Sequence, residues 1–384
     1  MCEGNLIVVN SKEMAALLEF YETNDLDEGF IFLGHEAIYA PCLTARGGHI
    51  TEMRVNGKIS HLEPLTTLTA LQELKMEHSS LSDLSPLVKL TNLTSLGLHS
   101  NNVSDLSPLA GLSRLKELDL FGNFIEDLSP LVELKSLRSL CLTGNQVRDL
   151  TPLNTLTGLT DLALDHNPLV DLEPLVNLIS LESLWLGNNP LGDLTPLAQL
   201  PKLRELRFDG NSGLALATLE LPSSLTELSL DRNEISDLAP LADLVRLEKL
   251  DLEENLISDL GPLARLTSLK ELDLSGNKIC EISPLANLTA LTNLNLSENE
   301  ISDLGPLAKL TNLDDLKLDG NDISDVAPLA GLTAIRNLDL SHNRIADLAP
   351  LSRLASLYNF NVADNKLRSF RDRKLIRLRD EDRF

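Results

Sequence analysis

Aliphatic residues recur at one interval along most of the chain. From residue 71 onward the chain divides into fourteen consecutive segments of 22 residues, and a fifteenth of 21 residues precedes them from Ile50. The shared pattern is L-x-x-L-x-L-x-x-N-x-I-x-D-L-x-P-L-x-x-L-x-x, as residues 225–246 show, with position 1 at the first leucine. Residues 203–224 lack the Asp and Pro of this pattern, and the pattern fades after Leu367. The 22-residue segments begin at Leu71, Leu93, Leu115, Leu137, Leu159, Leu181, Leu203, Leu225, Leu247, Leu269, Leu291, Leu313, Ile335 and Leu357.

Each recurring position predicts a local structure. Leucines at positions 4 and 6 alternate with polar residues, so we expect one short parallel strand per repeat, with one buried face. The Asn at position 9 falls where the chain leaves the strand, and its amide can bond backbone groups that would otherwise be buried without partners. Asp at position 13 can cap the free N–H groups at the start of a short helical turn. Pro at position 16 lacks a backbone N–H, and it fits the first turn because no N–H donor is required there. The return segment is therefore predicted to be a 3₁₀ turn.

The pattern, above all I-S-D-L-x-P-L-x-x-L at a 22-residue period, is that of a leucine-rich repeat. It resembles the subfamily shared by the bacterial internalins and the nuclear phosphatase-regulating leucine-rich protein of eukaryotes, and the likeness covers residues 50–367. The resemblance implies an α/β fold: a right-handed solenoid, shaped as a horseshoe or arc, with a concave parallel β-sheet and a convex side rich in 3₁₀ turns. A single repeat cannot bury its own apolar face, so stacking of repeats into one domain is expected.

The ends of the chain depart from the pattern. Residues 1–49 are interpreted as an N-terminal cap, with a helix over residues 11–21, a strand-like segment over 29–39 and a loop over 44–48. A small separate domain, even one with an enzymatic or toxin-like activity, is the alternative for this segment. Residues 50–367 form about 15 repeats, and residues 368–384 are predicted to be a C-terminal cap or a basic tail.

Charge and cysteine usage narrow the partners and the compartment. Lys and Arg number 33 against 57 Asp and Glu, a formal net charge of −24, which disfavours nucleic acid and anionic membranes as partners. The four cysteines are scattered without paired or metal-type spacing, which is typical of free thiols in a reducing compartment. No secretory signal or apolar span is recognisable, so the cytoplasm is the expected location.

Positions 3, 5, 7 and 8 are predicted to point from the sheet into solvent, where a partner would be recognised. Most hold small or polar residues, so outward aromatic groups stand out as binding anchors, and carboxylates beside them would suit Lys or Arg of a partner. The candidate partner-binding residues are Phe121, Cys141, Trp185, His99, Asp165, His166, Asp209, Asp231, Asp251, Glu253 and Glu254.

These features predict a monomeric, non-enzymatic module that binds a protein with a basic surface through the concave face, without cofactor or metal. Two narrower alternatives are a regulatory subunit of a serine/threonine protein phosphatase and a bacterial effector acting on host proteins. The sequence L-P-S-S-L at residues 221–225, which resembles bacterial effector repeats, favours a bacterial source. An acid/base pair of Asp231 and Glu253 is disfavoured because an open sheet is expected to offer no desolvation. A metal site at His78 and His99 lacks a fixed third ligand.

Overall fold

The computed structural model describes residues 5–26, 31–34, 37–40, 43–191, 193–211 and 220–367. The chain forms two compact units, unit 1 over residues 1–203 and unit 2 over residues 204–384. Each unit contains the strands and 3₁₀ turns of the repeats, in the leucine-rich-repeat architecture expected from the sequence. The predicted C-terminal cap or tail, residues 368–384, lies outside the described residues, and the boundaries proposed from the sequence remain predictions.

Unit 1 opens with a helix and a small antiparallel sheet. Helix α1, Ser11–Thr23, begins after Asn10, whose side-chain oxygen accepts the N–H of Glu13 at 3.0 Å, an N-cap bond. The helix predicted over residues 11–21 is thus confirmed. Strands β1 (Asn5–Val8), β2 (Ile31–Gly34) and β3 (Ala37–Ala40) pair in the order β1-β3-β2, and β2 and most of β3 lie in the segment predicted as strand-like.

Helix α1 is fastened to the first repeat by two buried polar side chains. Glu13 accepts the backbone N–H of Ile50 at 2.7 Å and lies 2.7 Å from Nδ1 of His49. Asn24 accepts the N–H groups of Ser60 and His61 at 2.9 and 3.0 Å. Both side chains satisfy backbone groups that would otherwise be orphaned at the end of the stack.

The segment 44–48 is not the loop that the sequence suggested. Strand β4, Leu43–Arg46, pairs antiparallel with β5, His49–Asn56, and only Gly47 and Gly48 form the turn. Their φ angles of 60° and 81° are those of a two-residue hairpin turn that glycine adopts without strain. The loop prediction missed that this glycine pair can join two strands directly.

Parallel strands in equal register follow in each unit. In unit 1, Leu140 of β9 stands opposite Leu162 of β10, which stands opposite Leu184 of β11. The remaining strands of unit 1 are β6 (Glu73–Glu77), β7 (Ser95–Gly97), β8 (Glu117–Asp119), β9 (Ser139–Cys141), β10 (Asp161–Ala163) and β11 (Ser183–Trp185). Those of unit 2 are β12 (Glu205–Arg207), β13 (Glu227–Ser229), β14 (Lys249–Asp251), β15 (Glu271–Asp273), β16 (Asn293–Asn295), β17 (Asp315–Lys317), β18 (Asn337–Asp339) and β19 (Asn359–Asn361).

The return segments are 3₁₀ turns, as predicted, and the position-13 aspartates cap them. Oδ1 of Asp105 accepts the N–H of Ser107 at 2.8 Å, and this bond lowers the pKa of Asp105. In unit 1 the turns are Glu63–Thr67, Ser85–Lys89, Ser107–Leu109, Ser129–Leu131, Thr151–Thr155, Glu173–Leu175 and Thr195–Gln199. In unit 2 they are Ala239–Leu241, Gly261–Arg265, Ser283–Asn287, Gly305–Lys309, Ala327–Gly331 and Ala349–Arg353.

The core of each unit consists of stacked aliphatic side chains. The repeat of residues 225–246 buries seven of them, none more than 4% exposed. The asparagine column confirms its predicted role: Nδ2 of Asn277 donates to the carbonyls of Leu252 and Leu274, and its Oδ1 accepts the N–H of Ile257 at 2.9 Å. Each amide therefore joins the backbones of successive repeats. Within the described ranges, no helix has the length and apolar character needed to cross a membrane.

Position 8 has a backbone conformation that the sequence analysis did not anticipate. From residue 78 to residue 364 every residue at this position has a positive φ, between 50° and 69°. Five are glycines, for which this left-handed region carries no steric penalty, and the others include His166, Arg232 and Glu254. Position 8 is thus constrained by the turn as well as exposed to solvent.

Candidate functional site

The outward surface of the sheet, formed by positions 3, 5, 7 and 8 and called the strand face below, carries an aromatic cluster in unit 1. Phe121 is 43% exposed, and its ring meets that of His99 edge-on at a centroid distance of 6.2 Å. His99 in turn contacts His78, with 3.1 Å between their Nε2 atoms. Nδ1 of His99 lies 3.6 Å from Asp119 and 3.7 Å from Glu77. The cluster offers an apolar ring edged by carboxylates.

Cys141 and Trp185 occupy the same outward position on nearby strands of unit 1. The register places Cys141 of β9 opposite Ala163 of β10, which is opposite Trp185 of β11. Trp185 is partly exposed, so it belongs to the strand face and not to the leucine core. Burial raises the pKa of the Cys141 thiol, so it stays protonated at neutral pH. The small side chain of Ala163 leaves the strand face open between these two residues.

Asp165 and His166 are held by the repeat itself. Oδ1 of Asp165 accepts the N–H of Gly187 at 2.9 Å, and its Oδ2 accepts the hydroxyl of Thr143 at 3.0 Å. These bonds tie together three successive coils, so the carboxylate of Asp165 has a structural role beside any binding role. His166 is exposed and adopts the left-handed conformation of position 8.

The other acidic candidates lie in unit 2, where Asp209, Asp231, Asp251 and Glu253 are partly buried and Glu254 is exposed. The hydroxyl of Ser229 lies 2.6 Å from Oδ1 of Asp209 and 3.2 Å from Oδ1 of Asp231. Burial, and then the hydrogen bond with Asp231, raise the pKa of Asp209 to about 7. Burial also raises the pKa of Asp251 to about 6, and it raises that of Glu253. The expectation that an open sheet gives no desolvation was therefore wrong, because neighbouring strands cover part of each carboxyl.

Arg232 is a member of this surface that the sequence analysis missed. Its Nε lies 2.8 Å from Oε2 of Glu254, and its other nitrogens lie 3.3 Å from Asp231 and 3.8 Å from Glu253. The hydrogen bond with Glu254 is the main reason that the pKa of Arg232 is raised. The spacing of 22 residues between Arg232 and Glu254 could have identified this pair. One guanidinium thus offsets part of the negative charge of the candidate strip.

A shallow trough of about 460 Å³ runs over the strand face of unit 2, across β12 to β17. Acidic side chains outnumber basic ones six to three along it, so it favours a positively charged ligand. The charged residues that line it are Glu205, Glu227, Asp251, Glu271, Asp273, Asp315, Arg207, Lys249 and Lys317.

Two other kinds of site were considered from the sequence, a metal site and an acid/base pair. In the part of the chain that the structure describes, no three His, Cys, Asp or Glu side chains converge in a geometry suited to a metal ion. Between Asp231 and Glu253 stands Arg232, which contacts both.

A family model described as Leucine Rich repeats (2 copies) matches residues 69–111, 91–133, 223–265, 245–287 and 289–331, in both units. The chain is a leucine-rich-repeat protein. Comparison with curated proteins gave no significant match.

Several solved structures are similar to this leucine-rich-repeat protein. An internalin of Listeria monocytogenes is 29% identical, with 93% of this chain and 98% of the other covered at a TM-score of 0.66. A leucine-rich-repeat protein of Leptospira interrogans is 24% identical over 86% of this chain and 81% of its own, at a TM-score of 0.65. A plant peptide hormone receptor in complex with RGF2 is 20% identical over 85% of this chain and 68% of its own, at a TM-score of 0.55. The last two show the fold alone.

Proposed function

We propose that this leucine-rich-repeat protein is a non-enzymatic interaction module that binds a protein with a basic surface on its strand face. The observation that carries the proposal is the exposed ring of Phe121 against His99, whose Nδ1 lies 3.6 Å from Asp119 and 3.7 Å from Glu77. A ring exposed within a charged rim is the usual composition of an interface anchor. Trp185, partly exposed on the same face of unit 1, supplies a second aromatic group.

The charge of unit 2 supports a basic partner. Its trough presents an excess of carboxylates, and Lys249 there lies 3.8 Å from Glu227 and 3.9 Å from Glu271. Exposed ion pairs at such distances contribute little, so a partner's cation can replace them at small cost. Opposite charge of this kind speeds encounter more than it raises affinity.

The same fold occurs in a receptor that has been solved as a complex. The plant receptor compared above, a protein of the same architecture, is in complex with RGF2. That likeness concerns the architecture alone, and any binding by this protein depends on its own side chains.

The test is affinity capture with the full chain as bait, followed by mass spectrometry. The Phe121→Ala/Trp185→Ala variant is expected to lose the captured protein while unfolding at the same temperature as the wild type. Phe124→Ala is the matched control, because Phe124 is 53% exposed but lies at position 10, outside the strand face. Unchanged capture by the double variant would refute the proposal.

Narrower roles belong to the same proposal. A phosphatase-regulating role predicts that a serine/threonine phosphatase co-purifies and is released by Phe121→Ala. An effector role predicts that the captured partner comes from a host lysate and not from the protein's own cell. We propose a monomer in the cytoplasm, where Cys141 and Cys280, both free thiols, would remain reduced. Cys2 and Cys42 lie outside the described residues.

A further inference from the structure

Four aspartates of unit 2 form a row across adjoining repeats, here named the carboxyl ladder: Asp209, Asp231, Asp251 and Asp273. Asp251 of β14 stands directly opposite Asp273 of β15, and Ser229 of β13 stands opposite Asp251. The Ser229 hydroxyl has one hydrogen to donate, yet it lies within bonding distance of both Asp209 and Asp231. The two carboxyl groups therefore need a further proton between them to avoid repulsion.

The surroundings of Asp209 and Asp251 explain why these two members of the carboxyl ladder retain protons. Burial is the main cause that raises the pKa of both Asp209 and Asp251, and the charges of their ladder neighbours add to it. The N–H of Glu253, bonded to Oδ1 of Asp251 at 3.1 Å, acts in the opposite direction. The pKa values of about 7 and about 6 place partial protonation close to neutral pH.

The basic side chains around the carboxyl ladder form ion pairs with neighbouring carboxylates. Arg232 pairs with Glu254 and Asp231, Lys249 stands between Glu227 and Glu271, and Arg207 bonds Glu205 at 2.9 Å. The charged groups that face the ladder within unit 2 are Glu205, Arg207, Glu227, Arg232, Lys249, Glu253, Glu254 and Glu271. Acidic groups exceed basic ones in this set also, so a partner's cation would meet a net attraction.

We propose that the carboxyl ladder binds a lysine- or arginine-rich segment of the partner by exchanging its bound protons for the partner's cations, so that binding releases protons and tightens as the pH rises. This inference rests on the proposed function and specifies how its acidic surface is regulated. Asp251 and Asp273 line the trough above β12 to β17, and so does Ser229, whose hydroxyl bonds Asp209 and Asp231. An extended segment lying in the trough therefore meets the ladder along this side.

The exchange is balanced in atoms and charge. The O–H bond of a protonated Asp breaks, its proton goes to solvent, and the carboxylate then accepts hydrogen bonds from an ammonium or guanidinium group. Below the pKa of the ladder, binding must first remove that proton. Each proton released therefore weakens binding about tenfold per pH unit as the solution is acidified through this range.

The test is calorimetry of an oligolysine peptide with the full chain, in buffers of different ionisation enthalpy, between about pH 5.5 and about pH 7.5. The wild type should release about one proton more per peptide than Asp209→Asn/Asp251→Asn, in which the amides cannot ionise. Histidines titrate in the same range, and the variant retains all of them, so the difference isolates the ladder. Carboxyl NMR of free and peptide-bound protein should show the resonances of Asp209 and Asp251 titrating at lower pH once the peptide is bound.

The matched control is Asp319→Asn/Asp339→Asn, which removes two charges from positions 7 and 5 of the same unit, the positions of Asp209 and Asp251. It should weaken binding while leaving proton release as in the wild type. Oligolysine binding with equal proton release in all three proteins would overturn this inference and leave the proposed function standing. Failure to bind at any pH would overturn the inference as well, whereas the proposed function would still be decided by capture with the Phe121→Ala/Trp185→Ala variant.

Discussion

Replacing Asn277 by alanine tests whether the asparagine column stabilises the stack. The amide of Asn277 bonds four buried backbone groups, the carbonyls of Leu252, Leu274 and Ser275 and the N–H of Ile257, but they do not depend on it equally. The carbonyl of Leu252 also accepts from Asn255, and that of Leu274 also accepts from Asn299. Among the residues that the structure describes, the N–H of Ile257 donates only to the Asn277 oxygen, at 2.9 Å. The carbonyl of Ser275 also accepts the N–H of Glu254. The alanine variant therefore creates one orphaned donor and removes the two amide hydrogens that three otherwise satisfied carbonyls share.

The expected loss follows from that inventory. An orphaned buried donor costs about 1–3 kcal/mol, and each lost bond to a carbonyl that keeps another partner costs about 0.5–1 kcal/mol. For one orphaned donor and two lost N–H bonds, the free energy of unfolding of Asn277→Ala should thus fall by about 2–5 kcal/mol. Urea unfolding followed by far-UV circular dichroism measures it, and faster hydrogen exchange at the Ile257 amide identifies the cause.

Two further variants make the prediction refutable. Asn293→Ala, at an exposed strand-face position, should change stability by less than about 0.5 kcal/mol. Asn277→Asp keeps an acceptor for Ile257 but turns a carboxylate toward three carbonyls, so it should be the worst of the three at neutral pH and improve on acidification. If Asn277→Ala is no less stable than Asn293→Ala, the column does not act through backbone hydrogen bonds.

Three other predictions concern stability. Glu13→Ala should lower the free energy of unfolding by about 1–3 kcal/mol, because the N–H of Ile50 loses its buried acceptor; an exposed glutamate of α1 changed likewise is the control for thermal unfolding. Asp251 has a raised pKa, so the folded state binds the extra proton and stability should fall as the pH rises from about 4 to about 6. Asp251→Asn should flatten that slope and, after allowance for solvent screening, gain about 1 kcal/mol at about pH 7.5 in urea unfolding; an unchanged slope would contradict this. His166→Gly should stabilise the chain by up to about 1 kcal/mol through relief of left-handed strain, and a loss of melting temperature would disprove it.

The repeat pattern predicted the fold because each recurring residue type makes a local interaction with the backbone. Asp105 caps its turn and Asn277 bonds its neighbours as expected, since both roles depend only on the backbone at fixed offsets. The β4–β5 hairpin was missed because it lies outside the repeat, where no periodicity fixes the pairing.

The strand face was predictable in position and less so in chemistry. Spacing placed Phe121 and Trp185 outward, yet it did not show that Asp165 is engaged by Gly187 and Thr143. The raised pKa of Asp209 depends on how far neighbouring side chains exclude water, which follows from three-dimensional burial and not from spacing. Charge counting alone therefore overstated the number of ionised groups on this face.

The direction of the asparagine bonds has a consequence for insertions and deletions. Asn277 reaches back 20 residues to Ile257, so the backbone of one coil is completed by a side chain that the following coil supplies. Removal or duplication of a whole 22-residue coil preserves every such partnership, whereas a change of one residue displaces the amide from its donor. Where every coil carries its asparagine, the length of such a protein therefore changes at least cost in steps of a complete coil, and unequal recombination between repeats is a tolerated route of change.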